Sequence, residues 1–221
     1  MRPMATRLLG RILRGASAPE RTAFAARILP ALERAVPRTP GGAAFVRSSC
    51  ADESWASRYL AGRAIGRMVP DFIPADEAWA RLLDLSGDKV TPVREAVPFG
   101  LAEVVRRAPK VEADLERLVA DSAAPSSARK AALRSLVLLA VDPETAEFAD
   151  RLLAVAARAG GSMAAGVGPV IIGRGISARD PRRAAEILDR WSASDDAVLQ
   201  NQASLARRRV ASVGQNRDRC G

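Results

Sequence analysis

Arginine is the residue best supplied for chemistry here. The chain has 31 arginines, three lysines (Lys89, Lys110 and Lys130) and no histidine in 221 residues. Without imidazole there is no Ser–His–Asp or Cys–His nucleophile and no zinc site that needs a histidine ligand. Cys50 and Cys220 are isolated thiols, too few for a secreted disulfide scaffold, and they read as belonging to a reducing cytoplasm. The stretch from Gly160 to Pro169 is glycine-rich, yet a phosphate loop needs Gly-Lys-Ser/Thr, and Val167-Gly168 follows Gly166 instead. A dinucleotide fingerprint starting at Gly166 would need glycine where Ile171 stands. Ser127-Ala-Arg-Lys130 fits Ser-x-x-Lys without the companion elements of that chemistry, and reads as a helix start. The carboxylate pairs Asp52-Glu53, Asp76-Glu77 and Asp195-Asp196 fall at expected helix starts, where they favour the helix dipole. No loop has the spacing of an oxygen-ligated metal site. No catalytic residue, cofactor or metal is expected.

The cations are not evenly spread. The net charge is +9 and the pI near 10.9. Residues 1–38 hold eight arginines against Glu20 and Glu33, leaving +6. Residues 201–221 hold five against Asp218, leaving +4, so the body between is at −1. Basic ends point to an acidic partner or to phosphate. Arg207, Arg208 and Arg209 are the expected contacts for such a partner, and otherwise a favourable C-terminal turn. Near the start, Leu8, Leu9, Ile12 and Leu13 share a helical face flanked by Arg7, Arg11 and Arg14. That pattern fits a first helix packing on the next, with an organelle-targeting or membrane-surface helix as its rival. No run reaches the 18 or so apolar residues of a membrane span, and no membrane partner is expected.

These residues must be held by a regular framework. Leu83, Leu118, Leu153 and Leu188 recur every 35 residues, each in an amphipathic segment: 76–85, 111–121, 144–158 and 181–191. A second series, Ile65, Leu101, Leu136, Ile171 and Leu205, runs through the segments between: 55–69, 92–108, 126–140, 162–174 and 196–209. The period predicts a string of helix pairs. Each pair exposes an apolar face that only a stacked neighbour can bury, which makes a solenoid. Asp142-Pro143, Asp180-Pro181 and Thr91-Pro92 are read as caps preceding a first-turn proline. Pro98, inside a predicted helix, should kink it. Residues 20–53 do not fit the period. Phe24–Val36 reads as an amphipathic helix, Pro37–Gly42 as a loop, and the region 1–53 as an atypical basic cap. Residues 210–221 show no pattern and read as a flexible tail.

The junction Asp88-Lys-Val-Thr-Pro-Val-Arg94-Glu-Ala-Val resembles that of HEAT repeats, where an aspartate ends the turn and an arginine opens the second helix. Asp52 and Arg58 repeat its six-residue spacing. Ala128-Arg129-Lys-Ala matches the later part, Ala164 replaces the arginine in the fourth unit, and Asp195 with Asn201 keeps only the spacing. The resemblance covers about residues 54–209. It implies an all-α, right-handed solenoid of about five helix pairs whose concave surface binds a protein partner. Trp55, Arg58, Tyr59, Arg63, Arg94, Arg129 and Arg134 are the expected residues of that surface.

The rival is a nucleic-acid-binding protein similar to bacterial DNA-alkylation-repair proteins, which are also built from HEAT-like repeats. That resemblance would imply a basic concave surface, with Trp55, Arg58, Arg94 and Arg129 cradling a damaged nucleotide. No motif places the aspartate it also requires. Such a binder should show Arg58, Arg63, Arg94, Arg129 and Arg134 unpaired on one face. In a structural ladder the junction arginines are instead tied to neighbouring aspartates.

Overall fold

The computed structural model describes residues 34–36, 38–172 and 175–218, with side chains as far as Arg209. Leu8–Leu13 and nearly all of Phe24–Val36 lie outside the described residues, as do the side chains of 210–221. Among the described residues every regular element is helical and there is no strand. Ten α-helices follow one another: α1 (Pro40–Ser49), α2 (Trp55–Ala64), α3 (Ala75–Ser86), α4 (Thr91–Arg107), α5 (Glu112–Ala120), α6 (Ser126–Leu139), α7 (Ala146–Arg158), α8 (Gly161–Ile171), α9 (Pro181–Ser192) and α10 (Ala197–Asp218). Short 3₁₀ turns cover Ile65–Met68, Pro109–Val111 and Ile176–Ala178.

From α2 onward each expected segment is a helix, with ends shifted by a few residues. Three local readings are corrected. The loop expected over Pro37–Gly42 is in part the start of α1: the Thr39 hydroxyl accepts from the Gly42 amide at 3.1 Å and Pro40 takes the first turn. Asp142 does not cap α7. Its carboxylate closes a turn on the Glu144 amide at 3.1 Å, and the helix begins at Ala146. Thr91 is the first residue of α4 rather than its cap. Asp180 does cap α9, accepting from the Arg183 amide at 2.9 Å. The backbone of α10 runs on to Asp218, past the expected end at Arg209.

The chain divides into two compact units, Met1–Glu112 and Ala113–Gly221. In the first, α4 packs on α2, on α3 and on the 3₁₀ turn after α2. Leu60, Ile65, Met68, Ile73, Leu82 and Leu101 are fully buried there. Small residues bring α2 and its following 3₁₀ turn close to α4. A Cβ built on Gly66 would lie 2.6 Å from the Gly100 carbonyl, and one on Gly100 2.3 Å from the Gly62 carbonyl. In the second unit, α8 packs on both α6 and α10, while α7 touches all three. Its core holds Leu115, Leu136, Leu139, Leu152 and Leu153. Gly160 and Gly161 have φ of 69° and 52°, which lets the chain reverse between α7 and α8 at little cost.

Candidate functional site

The junction residues are built the same way twice. In each connection an aspartate closes a tight turn on the amide two residues later: Asp52 on Ser54 and Asp88 on Val90, both at 2.8 Å. Six residues on, an arginine from the first turns of the next helix donates back to that aspartate's carbonyl, Arg58 to Asp52 at 2.7 Å and Arg94 to Asp88 at 2.5 Å. The six-residue spacing therefore has a physical content: it lets a guanidinium satisfy a carbonyl left over by the turn.

Arg58 does more. Its Nε donates to Asp88 Oδ2 at 2.6 Å and a terminal nitrogen reaches Oδ1 at 3.3 Å, a two-pronged pair joining α2 to the connection between α3 and α4. The two side chains are only 13% and 8% exposed. A fourth donor contact goes to the Glu53 carbonyl at 2.9 Å. Arg94 also donates to Thr91 Oγ1 at 2.8 Å. Arg129 donates to the Val119 carbonyl at 3.1 Å, and its Nε is buried with no partner among the described residues. Asp121, set two residues too far back, closes its own turn on Ala123 instead.

The remaining expected contacts are dispersed. Trp55 is buried at 9% exposure, Tyr59 and Arg63 are half-buried, and Arg63 stacks on Phe99 with its guanidinium carbon 3.6 Å from the ring centre. Arg134 is exposed, with no ion pair among the described residues. Arg207, Arg208 and Arg209 are exposed. Arg207 pairs with Asp189 at 2.5 Å, Arg208 donates to Ser204 at 3.2 Å, and the Arg209 guanidinium lies against Gly168.

Two ionic groups were not singled out from sequence. Arg47 on α1 donates to both oxygens of Glu77 on α3, at 2.8 and 3.2 Å, and Arg81 joins at 3.0 Å. These cations hold the Glu77 carboxyl below the usual glutamate range, Arg47 contributing most. In the second unit Asp150 on α7 takes Arg183 at 2.6 Å and Arg190 at 2.8 Å, both from α9. Arg183 also donates to the carbonyls of Ala140 and Ala146, at 3.2 Å each. The signal in the sequence is Asp150 itself, a carboxylate between Phe148-Ala149 and Leu152-Leu153 on an otherwise apolar stripe. A charge there needs a partner. Among the described residues, no group of three or more Cys, Asp or Glu is placed to hold a metal ion, and no helix is long and apolar enough to cross a membrane. No protein-family model matches the chain, and no curated protein or solved structure matches it.

Proposed function

We propose that the chain is a non-catalytic, HEAT-like scaffold: a right-handed solenoid of about five helix pairs that holds a protein partner on the surface of its second helices. The reading is supported by the regular alternation of helices and by the paired Asp–Arg junctions at Asp52/Arg58 and Asp88/Arg94. The observation that carries its functional half is the use of the junction arginines. Arg58 is engaged by Asp88 and two carbonyls, Arg94 by a carbonyl and a hydroxyl, and Arg129 by a carbonyl. Each is tethered inside the protein, Arg58 by four contacts, Arg94 by two and Arg129 by one, and a tethered guanidinium offers fewer donors to phosphate. Trp55, the aromatic best sited for stacking on a base, is packed in the core.

The test is fluorescence polarisation with labelled duplex and single-stranded DNA across a salt series, run beside a base-release assay on alkylated duplex. Weak binding erased by moderate salt, with no base released, is the expected result. Release of a base, or tight binding that persists in salt and is lost on Arg134→Glu, would overturn the scaffold reading in favour of a nucleic-acid enzyme or binder.

A further inference from the structure

The near-neutral charge of the body hides a segregation by helix. In the second unit α6 and α8 contain no acidic residue, and α10 has none before Asp218. The acids of this unit lie on α5, α7 and α9 and in the connections. The bases on the acid-free helices include Arg129, Lys130, Arg134, Arg207, Arg208 and Arg209.

The three helices share one exposed face, and side-chain contacts fix its order. Gly166 on α8 faces α6, where a Cβ would lie 2.6 Å from Leu133. Gly168 faces α10, where a Cβ would lie 3.3 Å from the Arg209 guanidinium. Between those two directions α8 exposes Ala165 and Pro169, small and uncharged. On the α6 side Lys130 and Arg134 are exposed on either side of Leu133. On the α10 side Val198, Leu205 and Arg209 follow at i, i+7 and i+11 and so form one stripe. Val198 and Leu205, at 43% and 41%, are the large hydrophobic residues most exposed among those described. At the positions corresponding to Leu205 in earlier repeats, Ile65, Leu101, Leu136 and Ile171 are all fully buried.

The face is therefore an uncharged strip over α8, with a basic margin on α6 and a mixed apolar and basic margin on α10. We propose that it binds an acidic amphipathic helix of a protein partner. The partner's carboxylates would meet Lys130 and Arg134, and its apolar side would lie on Ala165, Pro169 and Leu205. Charge complementarity selects an acidic ligand. The apolar stripe and small floor select a helix over a polyphosphate, which has no apolar side to place there. Phe, Tyr and Trp are absent from α6, α8 and the described part of α10, so bases would find no ring to stack on. This inference rests on the scaffold reading and names the chemistry of its partner.

The test is a titration of the full chain with a labelled helical peptide of about 20 residues, with glutamates flanking a Leu/Ala face. A polyglutamate coil of equal charge and a DNA duplex are the comparison probes. Circular dichroism checks that each variant folds. The peptide is expected to bind more tightly than the coil. Lys130→Glu with Arg134→Glu should weaken it about tenfold or more, Leu205→Ser about threefold to tenfold, and Ala165→Trp, which fills the strip without changing charge, should abolish it. Absence of peptide binding at low salt, or binding indifferent to Leu205→Ser and Ala165→Trp, overturns the acidic helix alone and leaves the scaffold reading standing. A duplex that outcompetes the peptide and loses affinity with the same charge reversals overturns both.

Discussion

Arg58 and Asp88 show why an ion pair inferred from spacing need not be a surface pair. Both side chains are nearly out of solvent, and the further partners shown for them are backbone groups: the carbonyls of Asp52 and Glu53 for Arg58 and the Val90 amide for Asp88. Removing one partner leaves the other charge buried and uncompensated, which is the costly case. Arg58→Ala should destabilise the protein by about 3 kcal/mol in urea unfolding. A double-mutant cycle with Asp88→Ala should recover much of that loss as coupling; additive losses would mean that Arg58 acts through its carbonyl contacts instead. Glu77 makes a different, pH-dependent contribution. Its carboxyl is depressed in the folded state by Arg47 and Arg81, so its stabilisation is present above the ordinary glutamate pKa and is lost as pH falls through the lower folded value. Stability measured at a series of acid pH values should therefore fall more steeply in the parent than in Glu77→Gln. Parallel curves would refute a Glu77 share in the acid limb.

The elements were legible wherever apolar periodicity was strong. Segments built on Leu83, Leu118, Leu153 and Leu188 and on Ile65, Leu101, Leu136 and Ile171 all proved helical, because a 3.6-residue period with a buried stripe has few other solutions. α1 was missed because Thr39-Pro40-Gly41-Gly42 has turn composition, although a Thr followed by Pro is also a cap and first turn. The site was less legible. Spacing found Arg58 and Asp88, but whether a guanidinium faces phosphate or a carbonyl depends on contacts from another helix. The close approach of α2 and its following 3₁₀ turn to α4 is likewise invisible until all are placed, though Gly62 and Gly66, and Ala96 and Gly100, stand four apart in the sequence. A methyl group on Gly100 would press on the Gly62 carbonyl at 2.3 Å and on Leu82 at 2.5 Å. Because the first of these is backbone, α2 itself would have to move. Gly100→Ala should cost about 2–3 kcal/mol despite its better helix propensity. Gly87→Ala, whose Cβ would meet nothing nearer than the Asp84 carbonyl at 3.5 Å, should change stability little. Equal effects in chemical denaturation would contradict a tight α2–α4 contact.

At the scale of the whole molecule, each unit carries its own fully buried residues and its own ionic group. Arg58–Asp88 and the Arg47–Glu77–Arg81 cluster lie in the first, and Arg183–Asp150–Arg190 in the second. A stack of repeats should behave as a nearly one-dimensional chain, in which loss of stability is felt by neighbours and fades with distance along the sequence. A globular core shared by all elements would instead unfold as one. Hydrogen exchange of Arg58→Ala separates the two cases, because that side chain ties two connections of the first unit and none of the second. Amides of α2, α3 and α4 should lose protection in proportion to the destabilisation, while those of α7 and α9 should lose much less. A uniform loss from α2 through α9 would show a single cooperative unit and would remove the energetic basis for a solenoid. The reverse variant, Asp150→Ala, should move α7 and α9 and spare α2. Failure of that symmetry would count against the proposed solenoid, whose repeats should feel a local loss before distant ones do.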